Sequence, residues 1–103
     1  RHGAAVSVGL LMAMKLSYLL NLSDKSDYKR LYEHLRSVLL PTNLNELSTK
    51  MKWSSNKLIK KMYTDKKVHK GNIRFIICHG IGKVLIKNDI EKSMLKETIE
   101  GFI

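Results

Sequence analysis

Two basic groups far apart in the chain have the types and settings that could do chemistry. Lys66 lies in the tract from Asp65 to Gly82, DKKVHKGNIRFIICHGIG, where a lysine pair precedes a glycine-containing turn. A helix placed over Ser54 to Lys67 advances about 100° per residue and gathers Leu58, Ile59 and Met62 on one face. Lys66 falls on that face, whereas Lys57, Lys60, Lys61 and Lys67 point elsewhere. A lysine on an apolar face either snorkels to water or meets an anion, because stranding its charge costs on the order of several kcal/mol. Lys66 is therefore a candidate anion ligand. His2 precedes Gly3 at the start of an apolar helix, where an imidazole stands beside free backbone N–H groups, a setting that suits a metal or an anion.

The remaining reactive side chains read as structural. His34, His69 and His79 form no HxxxH or HExxH pattern with each other or with His2, so no complete metal site is written locally. His34 belongs to the surface or packing of an amphipathic helix, and His69 and His79 fall in loops or turns. Cys78 is flanked by Ile77 and His79 in a strand, where neighbours point to opposite faces, so a Cys–His nucleophile pair is discounted in favour of a small packed residue. Gly80-Ile81-Gly82 is neither GxGxxG nor a P-loop and precedes a strand, so turn geometry accounts for it.

The elements that must hold these groups follow from periodicity. A first helix is expected from about Ala4 to Leu20, apolar nearly all round like the central helix of a bundle. Ser23 to Ser26 breaks it. From Asp27 to Leu40 the positions Tyr28, Leu31, Tyr32, Leu35, Val38 and Leu39 recur at helical spacing, with Ser26 or Asp27 as cap and Pro41 as the stop. Thr42 to Trp53 reads as irregular, with one short turn of helix around Leu44 to Leu47. Ser54 then caps a third helix that carries the lysine pair to its C-terminal end, where the helix dipole favours positive charge. Ile73 to Ile77 and Lys83 to Lys87 read as a hairpin turned by His79, Gly80 and Gly82. Asn88 to Glu91 has capping-box spacing, and Ile90, Met94, Leu95, Ile99 and Phe102 line one side of a last helix. The expected fold class is mainly α, a small helical bundle with one short β-hairpin, and residues 1–103 are expected to form a single domain.

Composition narrows the class further. An apolar content of 44% with six glycines and one proline argues for a folded helical chain rather than disorder. The single cysteine excludes an internal disulfide and points to a reduced, cytoplasmic protein. The net charge of +10 suits nucleic acid, an anionic membrane or an anionic small molecule. With fifteen lysines to four arginines it also fits a bias toward A/T-rich codons. A nucleic-acid-binding module, the alternative reading with a protein-interaction domain, lacks a recognition helix and stacked aromatics. Gly3 to Leu22 is apolar enough to raise a signal peptide or membrane span. Lys15 within it, at about 2.5–3.5 kcal/mol on an insertion scale, favours a buried helix and no membrane association. The chain opens on Arg1 rather than Met, so it reads as the middle of something longer.

Five pieces then coincide in order: His2-Gly3-x-Ala5-Val6 opening a helix with Gly9, Leu40-Pro41-Thr42, Asp65-Lys66-Lys67-Val68, Gly71-x-Ile73-Arg74-Phe75, and Gly80-Ile81-Gly82. Together they resemble the C-terminal helical domain of 3-dehydroquinate synthase, over essentially the whole chain. The resemblance implies a lyase of the shikimate pathway with an N-terminal NAD-binding domain and an active site in the cleft between domains. Such an enzyme converts 3-deoxy-D-arabino-heptulosonate 7-phosphate to 3-dehydroquinate with release of phosphate. NAD transiently oxidises the substrate, and zinc or cobalt polarises the oxygen of the oxidised carbon. On this resemblance His2 is a metal ligand at the substrate site and Lys66 holds an anionic group of the substrate. Two departures stand out, Ala4 where the family usually carries Glu and Leu39 where it usually carries Gly. One histidine cannot hold a catalytic zinc, which needs about three protein ligands. The expectation is that this chain alone binds neither NAD nor metal tightly and is inactive. It would be a C-terminal portion, excised or separately encoded, or the remnant of a decaying gene. Its partner would be the NAD-binding domain, with self-association through the exposed domain interface as a further expectation.

Overall fold

The computed structural model describes residues 2–48, 50, 52–64, 68–69, 72–73 and 75–103, with the side chains of all of these except 2, 68, 69, 72 and 73. Four helices carry the fold: α1 His2–Leu19, α2 Lys25–Ser37, α3 Ser55–Thr64 and α4 Lys92–Glu100. Between α3 and α4 come two antiparallel ladders, β1 Val68–His69 with β2 Asn72–Ile73, and β3 Phe75–Cys78 with β4 Val84–Lys87. The architecture is the expected mainly α one. Apolar nearly all round, α1 takes the central place and packs on α2, α4 and β3 at once. Val8 and Leu11 are fully buried, and Leu35, Leu44, Ile59, Ile77, Leu95, Ile99 and Phe102 complete the core around them.

Hydroxyls inside this apolar helix fasten the hairpin to it. A serine in a helix has few partners there besides the carbonyl one turn back. Ser17 sits within hydrogen-bond distance of the Ala13 carbonyl and accepts from the Cys78 N–H at 2.9 Å. Ser23, just past the helix, donates to the Cys78 carbonyl and accepts from the Gly80 N–H, both at 2.7 Å. Each hydroxyl thus uses its proton and a lone pair. Ser17→Ala strands the Cys78 N–H against the core, which costs about 1–3 kcal/mol. Urea unfolding should show that loss; an alanine variant as stable as the wild type would refute the clasp.

Both α1 and α2 end in the same motif, with different residues at the strained position. After α1 the Leu22 N–H returns to the Ser17 carbonyl and the Asn21 N–H to Tyr18, with Asn21 at φ 61°. After α2 the Leu40 N–H returns to Leu35 and the Leu39 N–H to Arg36, with Leu39 at φ 63°. These are Schellman closures, and they favour glycine or asparagine at the left-handed residue. Leu39 is 91% exposed, so it gains no burial in return. Relief of about 1–2 kcal/mol of left-handed strain, less about 0.4–1 kcal/mol for glycine's freer unfolded chain, leaves Leu39→Gly stabilising by roughly 0.5–1 kcal/mol. A lowered melting temperature for that variant would contradict the assignment.

Lys15 snorkels within the fold. Its ammonium lies 5.6 Å and 5.8 Å from the ring centroids of Tyr18 and Tyr28. It also reaches the end of α4, since a Cβ built on Gly101 would lie 3.3 Å from Nζ. Aromatic faces and the negative end of a helix both favour a cation, and that accommodates a charge in the central helix. No helix among the described residues is long and apolar enough to cross a membrane.

Several expected boundaries shift. α1 starts two residues before Ala4, and α2 runs from Lys25 to Ser37, stopping short of Pro41 because the Leu39 closure ends it first. The capping box at Asn88 is not used. β4 carries the chain to Lys87, Ile90 is buried, and α4 begins only at Lys92 with Glu91 in the cap position and no side-chain cap bond. Tertiary packing of Ile90 outweighs the local signal. Ile73, expected in the main hairpin, pairs instead with Val68, and His69, expected in a loop, lies in β1. Thr42 to Trp53 holds no regular helix among its described residues, only a turn in which the Leu47 N–H meets the Leu44 carbonyl.

Candidate functional site

The start of α1 is clamped from below and bare above. The Ser7 hydroxyl lies 2.8 Å from the carbonyls of both Ala4 and Pro41, tying the first turns of α1 to the loop after α2. That loop is itself fixed. The Thr42 N–H and hydroxyl donate to Glu46 Oε1 at 3.0 and 3.1 Å, Asn43 Oδ1 accepts from the Glu46 N–H, and the Leu44 N–H donates to the Phe102 carbonyl. Arg36 completes the cluster with an ion pair to Glu46 at 3.3 Å. The Thr42 N–H, ahead of the hydroxyl and Arg36, holds the Glu46 carboxyl below the usual carboxylate range. The Leu40-Pro41-Thr42 motif thereby becomes a support for the helix that His2 opens.

On its other side, α1 exposes Gly3, Ala5, Val6, Gly9 and Leu10, without one polar side chain. A Cβ on Gly3 or Gly9 would meet nothing within 4 Å. His2 is the first residue of α1, and its side chain lies outside the described residues. Lys66 also lies outside them.

What the structure does place is the helix that leads to Lys66. Ser54 caps α3, its Oγ accepting from the Lys57 N–H at 3.4 Å, and Ser55 donates to Glu100 Oε2 at 2.9 Å, joining the start of α3 to the end of α4. Ile59 is buried with Leu58 and Met62 half-buried beside it, while Lys57, Lys60 and Lys61 are exposed. That is the apolar face on which the Lys66 argument was built, as far as Thr64.

Of the other reactive groups, His34 and Cys78 share the lining of one groove between α1, α2 and the β3–β4 turn. His34 and His79 are exposed. Cys78 is a half-buried free thiol in β3, whose backbone is occupied by Ser17 and Ser23. The glycine turn serves geometry, with Gly80 and Gly82 at φ 76° and 92° and the His79 N–H closing on the Lys83 carbonyl at 2.8 Å. Among the described residues no three His, Cys, Asp or Glu side chains converge to hold a metal ion. Sequence reasoning passed over Ser7, Ser17, Ser23 and the Thr42–Glu46 pair. Hydroxyls inside and just after an otherwise apolar helix were the available signal.

Comparison with known proteins bears on this arrangement. A family model described as 3-dehydroquinate synthase C-terminal matches residues 1–68. The chain is 34% identical over 102 residues to a 3-dehydroquinate synthase of Rhodospirillum rubrum, covering 99% of itself and 26% of that relative. It is 37% identical over 89 residues to the one of Zymomonas mobilis and 35% over 92 residues to the one of Rhizobium etli, covering 23% and 24% of them. The chain thus spans about a quarter of the length of the curated relatives it matches.

Proposed function

Since the chain belongs to the 3-dehydroquinate synthase family and matches its C-terminal domain, we propose that it forms one wall of a divided active site and acts only with the remaining portion of the enzyme. The observation that carries this reading is the length relation: nearly all of this chain aligns with only 26% of a whole synthase. The bare, apolar outer face of α1 supports it, because a helix exposing Val6 and Leu10 beside two glycines is shaped for close approach by another element.

In this reading residues 1–103 are a single cytoplasmic domain, and the reaction is conversion of 3-deoxy-D-arabino-heptulosonate 7-phosphate to 3-dehydroquinate with loss of phosphate. His2 would supply one ligand to a zinc or cobalt ion, whose role when bound is to polarise a substrate oxygen. A catalytic zinc takes about three protein ligands, so in this reading the other ligands, and the NAD site, would belong to the remaining portion. The Ser7–Pro41 clamp fixes the helix end that presents His2. Lys66, on the chain leaving α3, would hold an anionic group of the substrate. Ala4, next but one to His2, leaves that end without a carboxylate to orient the imidazole.

The reading is tested by mixing this chain with the portion of a relative that it does not match. A one-to-one complex on gel filtration, with zinc retained only by the complex, is the expected outcome. Two components that elute separately at micromolar concentration would count against it.

A further inference from the structure

The outer face of α1 does not end in solvent. Gly3, Val6, Leu10 and Met14 follow one another at intervals of three and four residues and so lie along one side of the helix. Leu10 and Met14 then form part of the wall of a groove of about 560 Å³ between α1, α2 and the β3–β4 turn. Leu31 and Ile81 contribute further apolar wall, and Ile81 is 55% exposed. The charged groups on the lining are Arg30 and Lys83, with no carboxylate among them. Neither cation takes part in an ion pair among the described residues.

We infer that this groove, continuous along α1 with the end that carries His2, is the docking surface for the complementary portion of the synthase, entered by an apolar segment flanked by carboxylates. The inference rests on the divided-site reading above and adds where the two parts meet. Continuity selects the occupant. A polypeptide that must reach His2 to complete the metal's ligands has an unbroken apolar track to follow, Gly3 to Val6 to Leu10 and into the groove. Charge selects its chemistry, since Arg30 and Lys83 leave two positive groups at an apolar wall for carboxylates to meet. A second copy of this chain suits the surface poorly, because at net charge +10 it would bring like charge to the same rim.

The test is calorimetric titration of the full chain with the purified portion of the Rhodospirillum rubrum relative that the chain does not match. Ile81→Asp and Leu10→Asp, at exposed positions and checked for folding by circular dichroism, should each weaken binding by about tenfold or more. The double variant R30E/K83E should weaken it at low salt. Val38→Asp, at an exposed apolar position beyond the end of α2 and outside the groove lining, should leave binding unchanged. If the wild type binds and the groove variants bind equally well, the groove assignment is overturned while the divided-site reading stands. No binding by the wild type would instead overturn that reading, and the inference with it. A wild-type dimer by light scattering that Ile81→Asp converts to monomer would make a second copy the occupant and overturn the inference.

Discussion

His2→Ala in the complemented enzyme is expected to abolish zinc retention and to lower phosphate release on the order of 10³-fold or more, the loss of several kcal/mol of charge stabilisation by a metal. The size follows from ligand arithmetic. A catalytic zinc has about three protein ligands, and removing one leaves too few to retain it. Metal content measured after dialysis separates this from a structural effect, because α1 should keep its helicity without the imidazole. An alanine variant that still holds one equivalent of zinc would remove His2 from the metal site. A substitution two residues on runs the other way. Ala4→Glu should tighten zinc binding in the complex by about 10–100-fold if the carboxylate orients the ligand.

Lys66→Met is expected to reduce kcat/KM in the complex by about 10²–10³-fold, as for removal of one partner from a desolvated charge pair. Lys67→Met is the internal control. Helical spacing continued past Thr64 would put Lys66 in line with Leu58, Ile59 and Met62 and turn Lys67 away, so loss of Lys67 should change kcat/KM by less than about threefold. Lys66→Arg should recover part of the activity, since it keeps the charge while changing the donor geometry. Equal losses at the two lysines would mean that the tract acts through bulk charge.

Periodicity was enough to locate α1, α2, α3, α4 and the main hairpin, because each has an apolar face that the core has to cover. The rest depended on partners far away in sequence. Asn88 looked like a cap, yet burial of Ile90 delayed α4 to Lys92. Pro41 looked like the stop of α2, yet the Leu39 closure acted first and left Pro41 to receive Ser7 from α1. The β1–β2 ladder is two residues long on each strand and carries no alternation to read. The two proposed site residues were legible only in part. His2 was proposed from its place at a helix start and Lys66 from helical spacing, both with family motifs in support, and both side chains lie outside the described residues. Leu39 shows the two sources of inference meeting, since the position where relatives were expected to carry glycine is one that the backbone holds at φ 63°.

The clasp serines were missed for a related reason. A hydroxyl in an apolar helix announces that it has a partner without saying which one. Ser17 finds it 61 residues away at Cys78, and only the folded chain brings the two together.

The central claim, that this chain is one wall of a divided active site, is tested most directly by phosphate release from 3-deoxy-D-arabino-heptulosonate 7-phosphate in the presence of NAD and zinc. The account predicts no release above background from this chain alone or from the complementary portion alone, and steady release when the two are mixed. Release by this chain alone, or none from the mixture, would contradict it.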